Sequence, residues 1–117
     1  MAARSEFVDF LLEQLVLVGP VAARAMFGGH GIYLHGTMFG LVASDTLYLK
    51  VDDANRDSFE AAGMGPFVYD GKKGPVAMSY YEVPPGALED PEALLPWAQS
   101  AVAAASRAKA KKPRRRR

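Results

Sequence analysis

The last eleven positions of the sequence hold the clearest set of residues that could bind a ligand. They carry eight cations and no acidic residue: Arg107, Lys109, Lys111, Lys112, Arg114, Arg115, Arg116 and Arg117. Cations of this kind neutralise phosphates and release counterions; if all eight engaged duplex DNA, log K would fall with log salt at a slope of about −7. The segment therefore predicts nucleic-acid contact without base specificity, because flexible cations position a backbone but do not read bases. The alternative is a solubilising tail with incidental affinity for anions.

The rest of the chain has the opposite charge. All 13 acidic residues lie between Glu6 and Glu92, whereas only six basic residues precede Arg107. The net charge is therefore −7 through Ser106 and +8 from Arg107 onward, although the whole chain carries +1. An acidic body repels phosphate, so the sequence predicts that nucleic-acid contact is confined to the basic tail.

A second candidate site, for a partner or a ligand, combines a glycine-rich bend with basic and aromatic residues. Its members are Arg24, Phe27, Gly28, Gly29, Tyr33, Lys50, Tyr80 and Tyr81. The two cations lie within or at the ends of apolar strands and could mark a site for an anion or an acidic partner beside the tyrosines. In the alternative interpretation, Arg24 pairs with a carboxylate such as Asp52, Lys50 lies on a solvated strand face, and the aromatic rings belong to the core.

The bend itself reads Gly28-Gly29-His30-Gly31. Glycines let backbone N–H groups converge on an anion. The phosphate-loop pattern nevertheless fails, because no Lys-Ser or Lys-Thr follows and a strand comes next where that motif needs a helix. A turn that requires positive φ at glycine is the favoured interpretation.

Residues for catalysis and metal binding are sparse. The sequence has no cysteine and only two histidines, His30 and His35. Cysteine-ligated metals and thiolate nucleophiles are thereby excluded, and no serine has a histidine at the spacing of a known nucleophile motif. The sequence predicts no catalytic residue, no metal and no cofactor, and hence a protein that is not an enzyme.

The apolar pattern predicts an α+β fold. An amphipathic helix is expected from Ser5 to about Gly19, and residues 21–26 are a candidate first strand. Strands over 31–34, 38–43 and 47–51 are predicted to form a meander. Asp52 or Asp53 is expected to cap a short helix that stops at Gly63. A hairpin follows over 67–69 and 76–83, and a last helix begins at Asp90. The predicted architecture is an antiparallel sheet, meander plus hairpin, flanked by N-terminal, middle and C-terminal helices.

The domain organisation follows from the charge pattern. The sequence predicts one domain over residues 1–107 and a basic tail over residues 108–117 that is disordered when unbound. The first residues lack the pattern of a secretory signal, and no apolar stretch reaches bilayer length. We therefore expect a cytoplasmic protein with no membrane contact.

Several short motifs together resemble the N-terminal domain of the TfoX/Sxy family. They are RAMFGG from Arg24, GIY from Gly31, MFGL from Met38, LYLKVD from Leu47, MSYY from Met78 and LEDPEALLPW from Leu88. The resemblance implies an α+β domain with an antiparallel sheet and flanking helices. It also implies a link to the regulation of natural competence, in which named members act as positive regulators of gene expression. The two-domain members continue into a separate C-terminal domain, whereas here an Ala-rich, basic segment follows.

These observations lead to one functional hypothesis with two alternatives. The first is a non-enzymatic regulatory or adaptor protein whose α+β body binds a protein partner and whose tail adds nucleic-acid contact. The second is a small-molecule-binding domain or an unrecognised enzyme built around the 28–31 bend and the tyrosines. The third is a homodimeric scaffold assembled through the sheet or the last helix.

Overall fold

The computed structural model describes residues 6–26 and 28–111. In chain order their elements are α1 (Glu6–Gln14), β1 (Val21–Met26), β2 (Gly29–Leu34), β3 (Thr37–Ala43), β4 (Thr46–Lys50), α2 (Arg56–Ala61), β5 (Pro66–Gly71), β6 (Gly74–Glu82), a 3₁₀ helix (Pro85–Glu89) and α3 (Pro91–Lys111). The predicted α+β class and the predicted order of helices, meander and hairpin are confirmed.

The six strands of the described residues form one antiparallel sheet with the order β1-β2-β3-β4-β6-β5. Strands β2 to β4 are the predicted meander, and the candidate first strand is present as β1, which pairs with β2. The β5–β6 hairpin is joined to them through β6, which places Tyr80 opposite Lys50 and Tyr81 opposite Leu49. This pairing brings together two segments that the chain separates by a helix and a strand.

Two-residue turns connect the central strands. His35 and Gly36 have φ angles of 51° and 81°, and Ser44 and Asp45 have φ angles of 50° and 55°. Positive φ at both positions gives a turn whose twist matches that of the flanking strands. Both turns lie where the sequence predicts them, but the second is built from two residues that carry a Cβ atom.

The helices pack against one face of the sheet, which is called the helix-covered face below. Ile32, Gly40 and Leu49 lie opposite one another across β2, β3 and β4 and therefore share this face. Ile32 and Leu49 are fully buried in a core that includes Leu11 of α1 and Leu94 of α3. Helix α3 contributes mainly small buried residues: Ala98, Ala101, Ala104 and Ala105.

The start of α2 differs from the prediction. The helix begins at Arg56, and Asp52 instead forms a turn before it, in which its Oδ1 accepts the N–H of Ala54 at 3.0 Å. Asn55 stands before the helix and is 95 % hidden, with 5 % of its surface exposed. The Asn55 side chain bonds to the backbone of Lys50 and Asp52 at the end of β4. The helix therefore begins after Asn55, later than the prediction placed it.

Helix α3 begins as predicted and extends far. The Glu92 N–H donates to Asp90 Oδ1 at 3.0 Å, as expected for a cap at Asp90. The Pro-Pro-Gly sequence ends β6 and then forms the 3₁₀ helix, which the sequence pattern does not predict. At its other end α3 continues through Lys111, so the first four positions of the predicted tail are helical. Residues 112–117 lie outside the described residues.

Candidate functional site

Arg107 is held against the body of the domain. Its Nε donates to Asp52 Oδ2 at 2.7 Å and its Nη2 donates to Asp52 Oδ1 at 3.0 Å, in a two-point pair. The hydrogen bond from Arg107 is the largest cause that lowers the pKa of Asp52, from 3.8 to about 2. The pairing expected of Arg24 with Asp52 is wrong, because Arg24 lies on edge strand β1 and Asp52 follows β4.

Lys109 contacts the sheet at a different place from Arg107. Its Nζ donates to Thr37 Oγ1 at 3.4 Å, a contact between α3 and the first residue of β3. Lys111 is the last residue of α3. The other predicted nucleic-acid-binding residues (Lys112, Arg114, Arg115, Arg116 and Arg117) lie outside the described residues. Binding of nucleic acid by any of the eight stays a prediction.

Four of the predicted partner or ligand residues meet on the sheet face that the helices leave open, called the open face below. The Arg24 guanidinium lies 5.6 Å from the centre of the Tyr33 ring, and Lys50 Nζ lies 5.2 Å from the centre of the Tyr80 ring. Such contacts are worth about 0.5–1 kcal/mol at exposed sites. Each cation therefore has a ring that supports it, and among the described residues neither forms a salt bridge.

The glycine-rich bend is a turn between β1 and β2. Gly28 has a φ of 79°, and a Cβ atom at Gly29 would collide with the carbonyl oxygen of Val42 on β3. The geometry matches the interpretation as a bend. Gly31 lies on the open face beneath the side chains of Tyr33 and Met38, where a Cβ atom would be only 2.9 Å from Tyr33 Cε1. Phe27 lies outside the described residues.

Tyr81 is separated from the other candidate tyrosines. Its ring lies on the helix-covered face, 6.2 Å from the ring of Phe59. Its hydroxyl donates to Glu60 Oε2 of α2 at 3.1 Å. Because neighbours on a strand point to opposite faces, Tyr80 and Tyr81 cannot line the same surface of the sheet. The two tyrosines therefore do not form one site.

A groove runs between α3 and the open face, with a volume of about 330 Å³. Its lining residues are Gly36, Thr37, Met38, Lys50, Tyr80, Ala105, Ala108 and Lys109. None of these described residues is acidic, although the body is acidic as a whole. Lys50 and Tyr80 were predicted as site residues, but Thr37 and Met38 were not, since a Thr-Met pair after a turn carries no local signal of binding.

Tyr80 contributes a phenol to this groove. Its side chain is largely hidden, and burial followed by the proximity of Tyr33 raises the pKa of Tyr80 above its usual value of 10.0. The hydroxyl therefore stays protonated at neutral pH and can donate a hydrogen bond. The groove thus offers two ammonium groups, one alcohol and one phenol within one concave surface.

A separate aromatic group lies further along the open face. The rings of Tyr48 and Phe67 are 5.0 Å apart, and those of Phe67 and Tyr69 are 6.3 Å apart. Tyr69 is 44 % exposed, and its neighbours Val68 and Val76 are 50 % and 39 % exposed. These side chains are exposed because β5 is an edge strand with one side that no described strand pairs.

Other kinds of site find little support in the described part of the chain. Residues 6–26 and 28–111 contain no cluster of three or more histidine or carboxylate side chains arranged to hold a metal ion. Over the same residues, no helix has both the length and the apolar character needed to cross a bilayer.

Comparison with known proteins gives one match. Residues 13–105, from the second half of α1 to the buried part of α3, match the family model of the TfoX N-terminal domain. The match covers the whole sheet and every residue of the groove up to Ala105. No curated protein matches the chain.

Proposed function

The chain belongs to the TfoX N-terminal domain family, and from this membership and its charge distribution we propose that it is a non-enzymatic regulatory or adaptor protein that contacts nucleic acid through its basic C-terminal segment. A role in the regulation of natural competence, which the family resemblance implies, is part of this proposal. The body, in turn, is proposed to bind a protein partner.

One observation carries the proposal: α3 is a single helix whose first half is buried in the core and whose last turns carry basic residues. Its first half is fixed by Leu94, Ala98 and Ala101, all fully buried. Its last turns carry Arg107, Lys109 and Lys111, and further cations follow in the sequence. A helix of this kind connects the described cations Arg107 and Lys109 directly to the core of a negative body.

The contact is expected to be electrostatic and independent of base sequence. Each phosphate that a lysine or arginine neutralises adds about 0.9 to the negative slope of log K against log salt. Arg107 is paired with Asp52, so its contribution is reduced, and the slope expected for the full chain is about −6 or shallower.

The test uses two variants with the same charge change in the full chain. Lys111→Gln with Lys112→Gln removes two cations of the basic segment. Lys72→Gln with Lys73→Gln removes two cations from the exposed turn between β5 and β6. Binding to a random labelled duplex is measured by fluorescence anisotropy at several salt concentrations.

The proposal expects the two variants to differ. The change at 111 and 112 should lower the steepness of the salt slope by about 2, whereas the change at 72 and 73 should leave it unchanged. Equal effects of the two variants would mean that net charge alone governs binding. Absence of duplex binding at low salt would overturn the nucleic-acid part of the proposal.

A second copy of the chain is the protein partner that the surface favours. Edge strand β5 has backbone N–H and C=O groups that no strand of the described residues pairs, and an identical strand can pair with them about a two-fold axis. The exposed Val68, Tyr69 and Val76 beside this edge would be covered by such a pairing. Light scattering should then show a dimer that Val68→Lys converts to monomer; a wild-type mass that stays monomeric at all concentrations would contradict the pairing.

A further inference from the structure

The groove between α3 and the open face is a candidate binding site that includes residues outside the basic segment, such as Lys50 and Tyr80. Its floor comes from β3, β4 and β6 through Met38, Lys50 and Tyr80, and its wall comes from α3 through Ala108 and Lys109. We propose that this groove binds a phosphate group, and that in the complex with nucleic acid it holds one phosphate of the backbone. The second half of this statement rests on the proposed function.

The charges around the groove favour an anion. Among the described residues, neither Lys50 nor Lys109 has a carboxylate within salt-bridge distance, although the body carries seven more acidic than basic residues. The nearest acidic position on the ladder is Glu82, opposite Tyr48 and two residues along from the Lys50–Tyr80 pair. Two lysines that stay unpaired in an acidic protein leave a local positive region, which attracts anions.

The donors match the chemistry of a phosphate. Phosphate oxygens accept hydrogen bonds from ammonium groups and hydroxyls, and bonds to a charged group are about twice as strong as neutral ones. Lys50 and Lys109 provide the ammonium groups, and Thr37 and Tyr80 provide the hydroxyls. The stacking of Lys50 on the Tyr80 ring uses the ring face and leaves the N–H donors of its ammonium group available.

The groove is also held in place before any ligand binds. The two-point pair of Arg107 with Asp52 fixes the last turns of α3 beside the end of β4. Lys109 lies two residues beyond this pair and already contacts Thr37 at 3.4 Å. The Arg107–Asp52 pair therefore helps to position Lys109 beside Thr37.

The location favours a phosphate within a longer polymer. The groove is open to solvent on one side and is bounded by the helix that carries Arg107 and Lys109 and is described as far as Lys111. A nucleic-acid strand bound at Lys109 therefore lies directly beside the groove. A volume of about 330 Å³ is at the small end for ligand sites, sufficient for a phosphate with its nearest atoms.

The first arm of the test uses inorganic phosphate and the full chain. In ¹H–¹⁵N spectra, phosphate should shift the amides of Thr37, Met38, Lys50 and Tyr80 in a saturable manner, whereas chloride at equal ionic strength should not. Lys109→Gln, at an exposed position of α3, should weaken this saturation several-fold without loss of folding. Lys73→Gln is the matched control and should leave it unchanged.

The second arm uses duplex DNA. Lys50→Gln should make the salt slope shallower by about 1 while the cations of the basic segment are intact. Because Lys50 is half-buried in β4, Thr37→Val serves as a second variant that removes a hydroxyl and keeps the β-branched shape.

The outcomes separate the two proposals. Saturable shifts in the groove without duplex binding would support the phosphate site and refute the nucleic-acid role. Duplex binding through residues 111 and 112, with no phosphate shifts and no effect of Lys50→Gln on the salt slope beyond that of Lys73→Gln, would overturn the phosphate site and leave the proposed function standing.

Discussion

Replacing Asn55 is the change whose cost the structure defines best. The Asn55 Oδ1 accepts the N–H of Asp52 at 2.7 Å, and Nδ2 donates to the carbonyl of Lys50 at 3.0 Å and to Ser100 Oγ at 3.2 Å. One buried side chain therefore joins the end of β4, the start of α2 and the middle of α3. Asn55→Ala removes all three bonds at once.

The magnitude follows from these bonds. Each buried hydrogen bond contributes about 1 kcal/mol net, and a backbone group left unpaired costs about 1–3 kcal/mol. Water can reach part of the space that alanine leaves, so the free energy of unfolding should fall by about 3 kcal/mol rather than by the full sum. With a urea m-value of about 1.5 kcal/mol per M, the midpoint should fall by about 2 M.

The assay is urea denaturation followed by Trp97 fluorescence. The Trp97 ring lies 4.9 Å from the Phe59 ring, and its carbonyl accepts the Ser100 hydroxyl, so its signal reports on the region that Asn55 joins. Asp53→Ala is the control: its carboxylate pairs only with Arg56 at the surface, and its side chain is 99 % exposed. A midpoint for Asn55→Ala equal to that of Asp53→Ala would refute this reasoning.

A second substitution tests the direction of the bonds. Asn55→Asp keeps an acceptor for the Asp52 N–H but places an oxygen against the Lys50 carbonyl, where the native side chain donates. Burial should raise the pKa of the introduced carboxyl in the folded state above its unfolded value. The destabilisation is therefore largest above the folded pKa and should shrink as the pH falls through it, because the protonated acid can donate to Lys50. A loss of stability that is equal at neutral and acidic pH would contradict this assignment of donor and acceptor.

Three further changes have expected outcomes. Arg107→Gln should lower stability slightly near neutral pH, because the Arg107–Asp52 pair lies at the surface. Since the folded pKa of Asp52 is about 2 against 3.8, this stability is present above about pH 4 and lost as the pH falls to about 2, so the denaturation curves of variant and wild type should converge in acid. Asp45→Gly should raise the thermal midpoint by about 2–4 °C, because glycine adopts the φ of 55° without strain. Gly29→Ala should cost about 2 kcal/mol or more through collision with the neighbouring backbone, whereas Gly86→Ala, with open space around it, should be near neutral in the same urea assay.

Local signals in the sequence predicted most of the fold. The turns at His35-Gly36 and at Ser44-Asp45 are recognisable because a polar or glycine pair interrupts alternating apolar residues, and Asp90-Pro91 marks the start of α3 in the same way. These features depend on a few neighbouring residues. They are therefore visible without knowledge of the tertiary structure.

The features that were missed depend on contacts across the chain. Asn55 looks like a surface residue in an acidic, polar stretch, and only the packing of α3 against β4 hides it. Tyr81 was grouped with Tyr80, although strand alternation puts it against α2. The groove needs β6 to pair with β4 and α3 to cross above, so no pattern in the neighbourhood of Thr37 could indicate it.

The pair of Arg107 with Asp52 connects the stability of the domain to the geometry of its candidate site. As an ion pair near the surface it contributes little to folding, yet it determines where the basic part of α3 lies relative to the sheet. Without it, the part of α3 beyond the buried Ala104 and Ala105 would keep the 3.4 Å contact of Lys109 with Thr37. A helix that frays at this point would still carry its cations, but the part of the groove wall that Ala108 and Lys109 form would be lost. Under the two proposals above, the attraction of nucleic acid is therefore set by charge, whereas the placement of one phosphate in the groove is set by the Arg107–Asp52 pair.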